Sequence, residues 1–211
     1  MKKIVLSAGL LLVTVFAHNA IAQMKYFAGR DYTVLENPLP LQKTGEKEVL
    51  EFFSYACPHC ADLNPAIVKW EKESKPADVG LYQMPALGGS WTFVGRVKFT
   101  AEKLGLGNAF DTTYFDLLHK QHQRKYIGDE EAAFALLAEK AKVDKAEVKK
   151  AWNSLAVKNK MQKSDQLWQQ SGLTGVPALV VNGKYVVSMT KDGVEHLFEV
   201  VDFLLATTKA E

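Results

Sequence analysis

Cys57 and Cys60 are the only cysteines among 211 residues, and they stand three apart in the run Cys57-Pro58-His59-Cys60. A thiol pair at this spacing can close a disulfide, pass it on and close it again. Pro58, with φ fixed near −65°, suits the first position of a helix. Cys57 is therefore expected at the N-cap and Cys60 one turn inside. The unpaired N–H groups and the positive dipole end at that place favour an anion, and the anion at hand is the Cys57 thiolate. His59, between the two, can add a hydrogen bond or a positive charge. A free thiol is only a few per cent thiolate at neutral pH, and each unit of pKa depression stabilises the anion by about 1.4 kcal/mol. A stabilised thiolate favours the dithiol, which makes the disulfide the stronger oxidant.

The pair has two other readings. As a structural staple it closes a loop too small to restrain the unfolded chain. As half of a zinc site it needs two more ligands, and His119 and His122, three apart near a helix end, are the candidates. The blander reading of both is a solvated polar side chain, and His196 is read as an exposed or half-buried helix residue. No metal is expected, and no cofactor beyond the disulfide itself.

Two further signals complete the set. Val176-Pro177 precedes an apolar run, and a proline there belongs at a strand start or bulge. If that bond is cis, neighbouring backbone groups are left free to pair with an extended peptide; trans is the default. Glu51 lies in the apolar run that leads to Cys57, where a carboxylate is costly unless paired or protonated. Alternation alone allows it an exposed strand face instead. Buried beneath the disulfide, it can exchange a proton with Cys60.

These residues need a scaffold, and the periodicities supply one. Residues 49–55 read as a buried strand, followed by a helix burying Leu63, Ile67 and Trp70. Residues 32–35 form a short edge strand and 79–84 another strand. From residue 90 to 171 the texture is helical. Helices are expected over 91–104 and 108–121, after the N-cap Asp129, after a capping box at Asp144 (with Val148, Trp152 and Leu155 on one face), and over 161–170 up to Gly172. Strand texture returns at 178–181, Asn182-Gly183 marks a hairpin turn, and a terminal helix carries Val194, Leu197, Phe198, Val201 and Leu204. The order β-β-α-β, helices, β-β-α predicts an α/β fold, one mixed sheet interrupted by an inserted all-helical domain.

The N-terminus has Lys2 and Lys3, an apolar run over 4–17 and Ala20-Ile21-Ala22, the pattern of a secretory signal peptide cleaved after Ala22. Its removal takes two lysines and leaves acids and bases equal in number, from 26 Lys+Arg and 24 Asp+Glu in the whole chain. A neutral surface has no footprint for nucleic acid. Export places the thiols in an oxidising space.

The run Glu51-Phe52-Phe53-Ser54-Tyr55-Ala56-Cys57-Pro58-His59-Cys60, with Gly175-Val176-Pro177-Ala178 far downstream, resembles the DsbA family of periplasmic thiol:disulfide oxidoreductases. The resemblance implies a thioredoxin-like domain from residues 23–88 and 172–211, with residues 89–171 inserted as the helical domain. It implies that Cys57 is the attacked cysteine, Cys60 the buried resolving one, Val176-Pro177 a cis bond facing them, and the acid at Glu51 buried. It further implies a monomeric periplasmic oxidase whose clients are unfolded, newly exported proteins, reoxidised by a membrane quinone-linked partner of the DsbB type. Family members often carry a lysine near the buried acid, on the strand before the Gly-Gly pair. That position is read here as Leu81, so Glu51 is expected to lack a nearby lysine and to resist ionisation. The rivals are an isomerase or reductase, usually marked by a dimerisation segment that is not seen ahead of the thioredoxin-like part, and a peptide-binding chaperone with incidental cysteines.

Overall fold

The computed structural model describes residues 25–209, so the proposed leader and its cleavage after Ala22 lie outside the described residues. Its elements follow the expected order. Strand β1 (Thr33–Val34) and strand β2 (Lys47–Phe53) precede helix α1 (Pro58–Glu73) and strand β3 (Val79–Pro85). A helical stretch follows, and then β4 (Ala178–Val181), β5 (Tyr185–Ser188) and the terminal helix α7 (Gly193–Thr207). The sheet runs β1-β5-β4-β2-β3. Only β2 and β3 are parallel, joined by α1 as the crossover; the other pairings are antiparallel.

Strand β2 is buried along nearly its whole length because both faces of the sheet are covered. On one face Val49, Leu179, Val181 and Val187 pack against Leu63, Ile67 and Trp70 of α1 and Leu197, Val201 and Leu204 of α7. On the other, Leu50, Phe52, Val180 and Val186 pack with Leu39 and Leu167. The β4–β5 turn is the one Asn-Gly favours: Asn182 and Gly183 both have positive φ, 48° and 68°. A Cβ on Gly183 would fall 2.3 Å from the Leu39 carbonyl oxygen, so the position also needs glycine for space.

The helical stretch comprises α2 (Trp91–Lys103), α3 (Asn108–Phe115), α4 (Glu130–Ala141), α5 (Lys145–Trp152) and α6 (Leu155–Ser171). Asp129 caps α4 by accepting from Ala132 N at 3.0 Å, and Asp144 caps α5 by accepting from Glu147 N at 2.8 Å. Several boundaries differ from the sequence reading. The strand expected over 49–55 runs Lys47–Phe53, leaving Ser54 and Tyr55 in the loop before Cys57. The last helix of the stretch, expected over 161–170, begins at Leu155. The helix expected over 108–121 is α-helical only to Phe115 and then widens into a π turn, Asp116–Lys120. Leu155 does not lie on the buried face of α5; Ser154 caps a new helix, and Leu155, 72% exposed, opens it. An apolar residue at the right spacing for one helix was here the first residue of the next.

Phe53, Tyr55, Cys57 and Cys60 share a third core cluster with Val94, Val97, Phe110, Tyr114, Phe115 and Phe134. The cysteine pair thus sits where the end of β2 meets the helical stretch.

Candidate active site

Strand β2 ends at Phe53, whose carbonyl accepts from Ala86 N at 2.8 Å, and three loop residues then lead to Cys57. The loop is closed by Ser54, whose carbonyl accepts from Cys57 N at 3.0 Å and whose hydroxyl accepts from Ala56 N at 3.2 Å. Cys57 is the extended N-cap of α1, with φ −91° and ψ 119°, and Pro58 takes the first helical position. Both cysteines are free thiols. Cys60, one turn in, is completely buried, while Cys57 retains 8% exposure.

The two thiols are driven apart in acidity by their positions. Cys57 is pulled down to about 6, first by the hydrogen bond from the Cys60 thiol and then by the backbone N–H groups of Cys60 and His59 and the His59 charge; partial burial opposes these. Cys60 is pushed far up, first by burial and then by its bond to the Cys57 sulfur, with Glu51 adding to the rise. His59 is exposed, its Nδ1 3.8 Å from Asp62 Oδ2.

Across from this helix start the Val176–Pro177 bond is cis, and Cys57 Sγ lies 3.4 Å from the Val176 carbonyl oxygen, to which the protonated thiol donates. Pro177 is buried and Val176 half-buried. Residues 119 apart in sequence therefore meet at the sulfur.

Glu51 lies inside, 2% exposed, so the exposed-face alternative is excluded. Burial raises its carboxyl to about 7, against the opposing pull of the Gln83 amide and the Lys98 charge. Here the expectation of no nearby lysine needs correction. The β2–β3 register puts Leu81 opposite Val49, and Gln83 opposite Glu51. Gln83 Nε2 donates to Glu51 Oε2 at 2.7 Å, and Gln83 Oε1 accepts from Lys98 Nζ at 3.3 Å. The cation comes from helix α2 and reaches the acid through the Gln83 amide. Lys98 is itself buried and paired with Asp111 at 2.6 Å, and Asp111 also accepts from the Tyr55 hydroxyl. A chain of polar contacts thus runs from Glu51 through Gln83, Lys98 and Asp111 to Tyr55, around the cysteine-bearing segment.

His119, read as a solvated polar residue, is instead half-buried with Nε2 2.7 Å from the Tyr55 carbonyl oxygen. Nothing in the sequence pointed there, since the partner lies 64 residues away and is a backbone atom. His196 stands 3.4 Å from Asp31, away from the cysteines. Among the described residues no group of three or more His, Cys, Asp or Glu is placed to hold a metal ion. No described helix is long and apolar enough to cross a membrane.

Residues 86–202 match the family model of the DSBA-like thioredoxin domain. That match begins downstream of the cysteine pair, which relatives spanning the whole chain cover. The thiol:disulfide interchange protein DsbA of Pseudomonas aeruginosa is 37% identical over 100% of this chain and 98% of its own length. The chain belongs to the DsbA family. The corresponding protein of Azotobacter vinelandii is 35% identical, covering 97% of each chain. A crystal structure of Pseudomonas aeruginosa DsbA matches with a TM-score of 0.78 at 37% identity, over 86% of this chain and 93% of that one. As a member of the DsbA family this protein is a thiol:disulfide oxidoreductase with a thioredoxin-like fold, as the cysteine motif and the element order had indicated.

Proposed function

We propose that this protein is a periplasmic dithiol oxidase that donates a Cys57–Cys60 disulfide to newly exported, unfolded proteins. The observation that carries the reading is the split between the two thiols: Cys57, at the helix N-cap with 8% exposure, is held near 6 beside a completely buried Cys60 held high. In the oxidised protein, a substrate thiolate attacks Cys57 Sγ and the Cys57–Cys60 bond breaks. Cys60 leaves with the electron pair and takes a proton, for which the Glu51 carboxyl, raised to about 7, is the donor beneath it. A second substrate thiolate then attacks the substrate sulfur of the mixed disulfide. The substrate disulfide closes, and Cys57 departs as the stabilised thiolate. Two electrons have passed from substrate to protein, and departure of a low-pKa thiol speeds the second step.

Val176 and the buried Pro177 form the edge on which an extended substrate pairs through its backbone, a mode that tolerates many sequences. His59 and Pro58 shape the helix start. The redox group is the disulfide alone, without a further cofactor. Reoxidation falls to a membrane quinone-linked protein of the DsbB type, and the working form is a monomer released from its leader after Ala22. Residues 23–88 and 172–211 act as the thioredoxin-like unit and 89–171 as the inserted cover. The polarity of the exchange is tested by the reduction potential. A value well above the roughly −270 mV of thioredoxin is expected, in the direction of the family's own figure of about −120 mV. A value at or below that of thioredoxin overturns the oxidase reading in favour of a reductase.

A further inference from the structure

We infer that His119 is a positioning residue for the reacting cysteine, acting through the Tyr55–Ala56 peptide group. That peptide lies one residue ahead of the Ala56–Cys57 bond and is held at both ends. Its carbonyl oxygen is 2.7 Å from His119 Nε2, and its N–H donates to Ser54 Oγ at 3.2 Å. A carbonyl oxygen only accepts, so Nε2 carries the proton. The Tyr55 side chain is also tied, its buried hydroxyl donating to Asp111. Both ties reach Tyr55 from one continuous stretch, α3 and the π turn that extends it.

The backbone departs from regular α-helix where it makes this contact. A π turn is rare and concentrated at functional sites. This one is followed at His122 by a φ of 54°, in the left-handed region a non-glycine residue seldom enters. The imidazole is backed by Phe115, with ring centroids 6.2 Å apart, and Phe115 in turn packs on Tyr55 at 5.1 Å. With its plane fixed, the 55–56 peptide sets the course of the chain into the N-cap, where the amides of His59 and Cys60 face the Cys57 sulfur. With the carbonyl released, the plane can turn and the sulfur moves off those donors. His119 is not among the groups that shift the Cys57 acidity directly, so its action is geometric.

The assignment rests on Cys57 as the attacked cysteine, and the controls separate the two. In the full-length protein, the absorbance of the Cys57 thiolate is titrated in the reduced form. The oxidation rate of a two-cysteine peptide is measured in the oxidised form. Losing one such hydrogen bond changes an equilibrium by about three- to ten-fold. His119→Ala is therefore expected to raise the Cys57 pKa by about half a unit to one unit and to slow the oxidation. His119→Gln, whose Nε2 stands where the imidazole Nε2 does, is expected to restore both. Where His119→Ala does not fold, His119→Asn, with its donor one bond short, replaces it. A removal variant with unchanged titration and rate, whatever its melting temperature, overturns the assignment, as does a Gln variant no better than Ala. If Cys57→Ser still oxidises the peptide, the catalytic reading falls and this assignment with it. An inactive Cys57→Ser beside a neutral His119→Ala defeats the positioning role alone.

Discussion

The depressed acidity of Cys57 makes the stability of the reduced protein depend on pH in a calculable way. The perturbation is pH itself, applied to the reduced protein and to Cys57→Ser. The folded pKa is about 6, and an unfolded thiol titrates at about 8.5. A pKa depressed on folding contributes stability that is fully present above the unfolded value and is lost as pH falls through the folded one. The corresponding linkage gives essentially nothing at about pH 5, about 1.4 kcal/mol at pH 7 and about 3 kcal/mol at pH 9. Solvent reaches this site, and its screening lowers the figures to roughly 1 and 2 kcal/mol. Only the interval between the pKa and the ambient pH counts, so near neutrality the thiolate shifts the two-electron potential by about 20–30 mV. Denaturant unfolding at pH 5, 7 and 9 reads the difference between the two proteins, and the thiolate absorbance is expected to inflect near 6. A stability difference flat across this range, or an inflection at 8 or above, refutes the account of how the helix start and Cys60 hold the anion. At pH 7 the same argument makes the reduced form more stable than the oxidised form, which comparative thermal melts check.

Glu51→Gln removes the proton donor proposed for Cys60 and is expected to slow peptide oxidation, by up to the roughly 10²-fold at the low end of general-acid effects; unchanged rates remove Glu51 from the mechanism. A carboxyl raised to about 7 favours the fold below its unfolded pKa and loses that contribution as pH climbs through 7, so Glu51→Gln is expected to gain about 2–3 kcal/mol over wild type at pH 8. Lys98→Met leaves Asp111 buried without its cation, at an expected cost of about 3–5 kcal/mol. It should also raise the Glu51 pKa further, read by carboxyl NMR titration, and an unmoved Glu51 breaks the proposed link through Gln83. Gly183→Ala is expected to destabilise by more than about 1 kcal/mol, from its positive φ and its contact with Leu39. Leu155→Ala on the open surface should stay within about 0.5 kcal/mol, and melting curves compare the two.

Much of the scaffold was legible because it is written in short-range signals. Asn182-Gly183 specifies its turn by backbone conformation alone, and Asp129, Asp144 and Gly172 end or begin helices through contacts within a few residues. Pro58 placed Cys57 at a helix start by the same local logic. Errors came where one local signal served two purposes. Leu155 fitted the apolar stripe of α5 but follows a Ser154 cap, and the stretch 108–121 kept its helical pattern through a turn whose backbone widens. Glu51 was ambiguous for another reason: alternation assigns a face, whereas only a layer on both faces of the sheet decides that neither is exposed.

The sequence by itself determined the chemistry, since the lone cysteine pair, the proline between them and the apolar strand before them are neighbours along the chain. It determined the order of strands and helices as well, through periods of two and 3.6 residues that repeat locally. The tertiary structure alone decided how that chemistry is supported. Val176 meets the Cys57 sulfur across 119 residues, Gln83 meets Glu51 across 32, and His119 meets the Tyr55 carbonyl across 64. These partners are fixed by strand register, by the packing of α2 over the sheet and by a π turn, none of which leaves a pattern in residue spacing. A lysine absent from the expected strand thus returned from a helix, because what a buried acid requires is a charge nearby in space.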